Sequence, residues 1–130
     1  MRSRACLHLV VAAALGVGCG NEQEEQPKGP VKSFAAGQPV RVVGKEYFFT
    51  PARVRASGDS IRIELDNEGT LAHNLKVVQG GRELGGTPTF PPEGTRGGSV
   101  KLAPGRYRMI CTVANHEQLG MVGELEVTAP

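Results

Sequence analysis

Cys111-Thr-Val-Ala-Asn-His116-Glu-Gln-Leu-Gly-Met121 presents a thiol, an imidazole and a thioether at five-residue intervals near the end of a 130-residue chain. Five residues along a helix turn through about 500°, which puts successive side chains on nearly opposite faces. Five residues along a strand span about 17 Å. Only a loop that doubles back can bring the three side chains together, and Asn115 and Gly120 are residue types that such loops use. The stretch therefore predicts a metal-binding loop.

The chemistry of these side chains narrows the choice of metal. Thiolate and thioether are soft ligands, and a plane of two histidines and one cysteine with a weak axial methionine is typical of copper centres that transfer electrons. The second histidine that this pattern needs is available at His73, which lies 38 residues before Cys111. We therefore expect one copper ion, held by His73, Cys111, His116 and Met121 after the fold has brought two distant segments together.

Alternation of apolar and charged residues dominates the rest of the chain. Ile61, Ile63 and Leu65, for example, alternate with charged side chains, as in a half-buried strand. Strands are predicted at residues 40–43, 54–56, 61–65, 75–78, 100–102, 107–111 and 124–127. Turns rich in Gly, Pro and Asn separate them, which is typical of an all-β sandwich. Residues 79–99 hold seven Gly and three Pro, so we expect a long irregular connection there.

Several stretches near these ligands resemble known proteins. Tyr47-Phe-Phe-Thr-Pro-Ala-Arg-Val54, Asn67-Glu-Gly69 and Gly105-Arg-Tyr-Arg-Met-Ile-Cys111 are similar to segments that flank the metal in cupredoxins, the blue copper family of plastocyanin, azurin and rusticyanin. The resemblance covers about residues 40 to 128. It implies a Greek-key β-sandwich of about seven or eight strands.

The resemblance also implies roles for individual residues. His73, Cys111 and His116 would form the trigonal plane around copper, with Met121 as the axial contact. Asn74 would tie the His73 segment to the ligand loop near Thr112. His116 would be the port through which electrons leave, inside an apolar patch that we expect to be framed by Leu71, Val113, Ala114 and Leu119.

The first 33 residues show a targeting pattern. Residues 1–18 combine a basic start with an apolar run that is too short to span a membrane but suits a signal peptide. Cys19 follows small residues, as at a lipoprotein cleavage site, so we expect an exported, periplasmic protein that is anchored to a membrane by a lipid on Cys19. Plain secretion remains open. Residues 19–33 are polar and predict a flexible linker, or a mere disordered tail, before a single domain at 34–130.

The three cysteines have different expected fates. Cys6 leaves with the signal peptide, Cys19 is the anchor or lies on the tail, and Cys111 remains alone in the domain, so no disulfide is expected. An unpaired thiol in an oxidising compartment needs protection, which a bound metal provides. The alternative is a buried cysteine that acts as a small hydrophobic side chain.

Charge and motif content limit the function. The net charge is only +2, and no basic patch indicates nucleic-acid binding. No catalytic triad, carboxylate pair or phosphate-binding loop is found, and four protein ligands leave no open position for substrate. We therefore expect a monomeric electron carrier that serves redox proteins, and not an enzyme. A copper-binding or copper-delivery protein is the alternative. A structural module with a vestigial site is a third candidate, but such a site usually lacks a ligand and none is missing here.

Overall fold

The computed structural model describes residues 26–130, which contain ten strands and no helix. The strands are β1 Val31–Phe34, β2 Val40–Lys45, β3 Phe48–Thr50, β4 Arg53–Ser57, β5 Ser60–Asn67, β6 Lys76–Gln79, β7 Arg82–Gly86, β8 Thr95–Lys101, β9 Gly105–Ile110 and β10 Val122–Thr128. Nothing helical in this part of the chain could cross a bilayer. The expected signal peptide and Cys19 lie outside the described residues.

The strands form two mixed sheets. One has six strands in the order β1-β4-β10-β9-β6-β7, and the other has four in the order β3-β2-β5-β8. Strand β4 pairs in parallel with both β1 and β10, and β2 pairs in parallel with β5, whereas the remaining pairs are antiparallel. Buried side chains of both sheets belong to one apolar core, so the predicted all-β sandwich is confirmed.

The apolar residues that alternate with charged residues in the sequence are the ones whose side chains are buried. In β5 the side chains of Ile61, Ile63 and Leu65 are buried, and their neighbours in the strand are exposed or half-buried. On the outer face of the six-stranded sheet Arg55 pairs with Glu126 across neighbouring strands, at 2.9 Å. Such exposed pairs contribute little to stability. They mark the solvated face of the sheet.

Ten strands exceed the seven or eight expected, because short or exposed strands carry little alternation. β1 pairs along its whole length with Arg53–Ala56, so residues 31–33 belong to the domain and not to the predicted linker. The first three side chains of β1 are exposed, so this strand lacks the alternation of apolar and polar residues that predicts a strand. The expected irregular connection at 79–99 is also wrong in part. It contains β7 and residues 95–99 of β8, where no inward row of apolar side chains identifies a strand.

Candidate metal centre

The ligand loop, residues 111–121, joins β9 to β10 and doubles back on itself as expected. At its ends the Cys111 amide donates to the Met121 carbonyl at 3.1 Å. Inside the loop the amide of His116 donates to Val113, and the amide of Met121 donates to His116, both at 3.0 Å. Gly120 has a φ of 108°, which favours glycine. The loop is therefore held by its own backbone hydrogen bonds.

Three of the predicted ligands converge. The Sγ atom of Cys111 lies 3.9 Å from Nδ1 of His73 and 3.6 Å from Nδ1 of His116. The ligand atoms of the three residues all lie within 4.8 Å of one another, and all three residues are buried. His73 stands between β5 and β6, where its backbone forms two hydrogen bonds with Phe90. Two distant segments of the chain thus meet at one point.

Met121 closes the loop and is completely buried in the same core cluster as Cys111. Its terminal methyl group lies beside Gly44 of β2, where a Cβ atom would come within 3.3 Å of it. The side chain is thus enclosed between the loop and the four-stranded sheet. Its role as the axial ligand stays a prediction.

Asn74 connects the two ligand-bearing segments. Its Nδ2 donates to the Thr112 hydroxyl at 2.8 Å, and the Thr112 amide donates to Oδ1 of Asn74 at 2.9 Å. A third bond runs from Nδ2 to the hydroxyl of Thr89 at 2.8 Å. The contact between Asn74 and Thr112, which the resemblance implied, is therefore present. It fixes Thr112, and with it the start of the ligand loop, against the His73 segment.

Glu46, in the turn between β2 and β3, is a residue of the site that the sequence did not reveal. Its Oε1 lies 2.9 Å from Nε2 of His73. Desolvation raises the pKa of Glu46, but hydrogen bonds from two backbone amides and from His73 outweigh it, and the pKa falls to about 2. Glu46 and His73 are 27 residues apart, and no motif or periodicity relates them.

His116 lies at the edge of the site and is only 5% exposed. The Tyr47 ring packs edge-on against its imidazole, with centroids 4.9 Å apart. Burial lowers the pKa of His116, and the neighbouring His73 lowers it further, so that the neutral form is favoured. A neutral imidazole is the form that binds metals.

The residues expected to frame His116 differ in exposure. Leu71 and Leu119 are 41% and 49% exposed, Ala114 is exposed and Val113 is half-buried. Two large apolar side chains at this end of the molecule are therefore open to solvent, while the imidazole itself is nearly covered. Their joint role as a partner patch stays a prediction.

No protein-family model matches the chain, and no curated protein matches it in sequence. Auracyanin A of Chloroflexus aurantiacus, a "blue" copper protein, has a similar structure, with a TM-score of 0.62 and 20% identity over 75% of this chain and 100% of its own. Rusticyanin of Thiobacillus ferrooxidans gives a TM-score of 0.58 and 15% identity, over 78% of this chain and 84% of its own.

The chain has the cupredoxin fold. A copper-containing nitrite reductase of Thermus scotoductus shares this fold with a TM-score of 0.51 and 23% identity, over 72% of this chain but only 23% of its own. The cupredoxin fold expected from the sequence is thereby confirmed. The fold alone does not decide what the site does.

The donor set of this site fits copper. Ligand atoms about 2.0 and 2.3 Å from one metal ion and 120° apart lie about 3.7 Å from each other, and the two sulfur-to-nitrogen distances here are 3.6 and 3.9 Å. A thiol and two imidazoles in a buried setting suit a soft or intermediate metal better than a hard one. Cys111, His73 and His116 are thus positioned to hold one ion in a plane.

Proposed function

We propose that this protein carries single electrons by means of one copper ion bound to His73, Cys111, His116 and Met121. The convergence of the Cys111 sulfur and two imidazole nitrogens from distant segments carries the proposal. When bound, copper supplies the one-electron couple between Cu(I) and Cu(II). The residues of the chain supply the fixed geometry that such a couple needs.

The surroundings of the ligands favour fast transfer. Cys111, His73 and Met121 are fully buried, so water is kept from the site. Backbone hydrogen bonds hold the loop, and Asn74 ties it to the His73 segment. Groups held in this way change position little when the charge of the site changes, which keeps the reorganisation small. We infer that both oxidation states are bound in nearly the same arrangement.

A carrier is favoured over an enzyme. The chain matches auracyanin A and rusticyanin over most of their length but nitrite reductase over only 23% of that chain. With Met121 as a fourth ligand, the site has no position for a substrate. The electron would leave through His116, past Leu71 and Leu119, to redox proteins that dock at this end.

Export and anchoring belong to the same proposal. Residues 1–18 would direct the chain out of the cytoplasm, and lipidated Cys19 would hold the domain at a membrane. Mass spectrometry of protein purified from the membrane fraction tests this. We expect a mature chain that starts at Cys19 and carries added lipid mass, whereas an unmodified soluble protein would contradict the anchor.

The function is tested by loading the protein with Cu(II) and recording its visible spectrum and voltammogram. We expect intense absorption from charge transfer between thiolate and copper, and a reversible one-electron wave. Cys111→Ser should abolish the absorption, whereas Cys19→Ser, the same change outside the domain, should leave it intact. Copper that passes rapidly to a chelator without a reversible wave would indicate copper delivery. A colourless complex would overturn the assignment.

A further inference from the structure

His73 uses both nitrogens of its ring. Nδ1 faces the sulfur of Cys111, and Nε2 lies 2.9 Å from a carboxylate oxygen of Glu46. An ionised carboxylate can only accept hydrogen bonds, so Nε2 carries the hydrogen and donates it. In a neutral imidazole the other nitrogen, Nδ1, then keeps its lone pair, and here that atom faces the Cys111 sulfur.

The carboxylate of Glu46 is itself fixed in place. The same Oε1 atom accepts hydrogen bonds from the backbone amides of Thr70, at 2.8 Å, and Leu71, at 3.0 Å. Three donors on one oxygen hold the side chain in a single position. The β2–β3 turn is thereby linked to the segment that presents His73.

Gly69 provides the space for this contact. A Cβ atom at residue 69 would come within 2.8 Å of Nε2 of His73 and would overlap Oε1 of Glu46. Glycine is not needed here for backbone conformation, because its φ lies outside the left-handed region. Its amide donates to Oδ1 of Asn67 at 3.1 Å, which holds the glycine in place. The Glu46 carboxylate, the backbone amides that bind it and the space left by Gly69 therefore all serve the contact with His73.

We propose that Glu46 is a positioning residue of the copper site, which orients the His73 ring and strengthens the donation of Nδ1 to Cu(II). This proposal rests on the proposed function. A carboxylate on the far nitrogen of a metal-binding histidine fixes the ring and makes it a stronger base. Negative charge near the site stabilises Cu(II) more than Cu(I), so Glu46 would lower the reduction potential. Among residues 26–130, no protein hydrogen bond is found to Nε2 of His116, so the two histidines would donate unequally.

The first test needs no metal. In the metal-free protein, NMR should show the Nε2 hydrogen of His73 as a resonance protected from exchange with water. Glu46→Gln should retain the resonance, because an amide oxygen still accepts a hydrogen bond, and Glu46→Ala should lose its protection. An unprotected resonance in the parent protein, or one unaffected by Glu46→Ala, would overturn the positioning role. This result stands even if the protein proves not to bind copper, which would refute only the proposed function.

The second test measures copper affinity and reduction potential in Glu46→Gln and in the matched control Glu68→Gln. Glu68 is exposed and pairs with Lys45 at the surface, so its variant makes the same change of charge without contacting a ligand. We expect Glu46→Gln to weaken Cu(II) binding by about 10–100-fold. Each tenfold loss for Cu(II) alone raises the potential by about 59 mV. Equal effects in the two variants, or no effect in Glu46→Gln, would overturn the proposal.

Gly69→Ala offers a third arm that leaves the charge unchanged. The added methyl group would displace the carboxylate from His73. We therefore expect the reduction potential to rise, as it should in Glu46→Gln. An unchanged potential in a folded Gly69→Ala protein would contradict the role assigned to this contact.

Discussion

The two segments that meet at the metal centre are built differently. His73 is fully buried, its backbone is paired with Phe90, and its far ring nitrogen is bound by Glu46. His116 stands on a loop near the surface, and its ring packs edge-on against Tyr47. The first histidine is held by the sandwich, and the second is held by the loop.

This difference separates two tasks of the centre. Under the proposal for Glu46, a histidine fixed on both ring nitrogens would set the position and the electronic character of the ion. Under the proposed function, a ligand near the surface would provide a short route for the electron to leave. The hydrogen bonds between Asn74 and Thr112 hold the two segments together.

Replacing each histidine by glycine should give the largest effect on the spectrum. Both His73→Gly and His116→Gly should lose the intense absorption of the copper-loaded protein. Added imidazole should restore the colour in His116→Gly, because that position lies next to solvent. It should not do so in His73→Gly, where the cavity is enclosed. Visible absorption measures the rescue. Equal rescue of the two variants would contradict the difference between an enclosed His73 and a His116 next to solvent.

Removing the hydrogen bonds that join the two segments should have the next largest effect. Asn74→Ala removes three hydrogen bonds of a buried side chain, and we expect the metal-free protein to lose about 1–3 kcal/mol of unfolding free energy as these bonds are lost. Thr89→Val is the matched control, since it removes only the bond that does not reach the ligand loop. Chemical denaturation measures both. Equal losses would show that the link to Thr112 contributes nothing.

The anchored histidine should also give the metal-free protein a specific acid response. Because the folded-state pKa of Glu46 is lowered from 4.5 to about 2, its contribution to stability is present above pH 4.5 and is lost as the pH falls toward 2. Glu46→Gln should therefore be less stable than the parent at neutral pH, and the difference should shrink across this window. Thermal unfolding at several pH values measures it, and a constant difference would contradict the assignment.

The smallest effect on stability is expected at the surface near His116. Leu119→Lys should change the unfolding free energy by no more than about 0.5 kcal/mol. It should nevertheless slow electron self-exchange between Cu(I) and Cu(II) copies, because like charges would meet at the port. NMR line broadening measures that rate. Leu84→Lys, at an exposed leucine of β7, is the control and should leave it unchanged. Equal slowing in both variants would place the port elsewhere.

Much of the fold could be predicted because burial alternates along the strands that cross the core. β5, β9 and β10 have this pattern and were recognised. β1, β3 and β7 were missed because they are three to five residues long and mostly exposed or half-buried. Pairing with neighbours creates these strands, and pairing leaves little trace in local sequence.

The candidate site likewise combines residues that a local sequence pattern reveals with one that it does not. The spacing of Cys111, His116 and Met121 within one loop is a local signal, and His73 completed a known donor set. Glu46 could not be found in this way, because its contact with His73 depends on how the β2–β3 turn meets another segment across the fold. The convergence of His73, Cys111 and His116 was therefore predictable, whereas the contact of Glu46 with His73 needed the structure.

A crystal structure of the copper-loaded protein would show whether the four predicted ligands bind one ion. We expect one copper ion within bonding distance of Nδ1 of His73, Sγ of Cys111 and Nδ1 of His116, with the sulfur of Met121 as a longer fourth contact. A metal bound elsewhere, or bound without the Cys111 sulfur, would refute the proposed copper site.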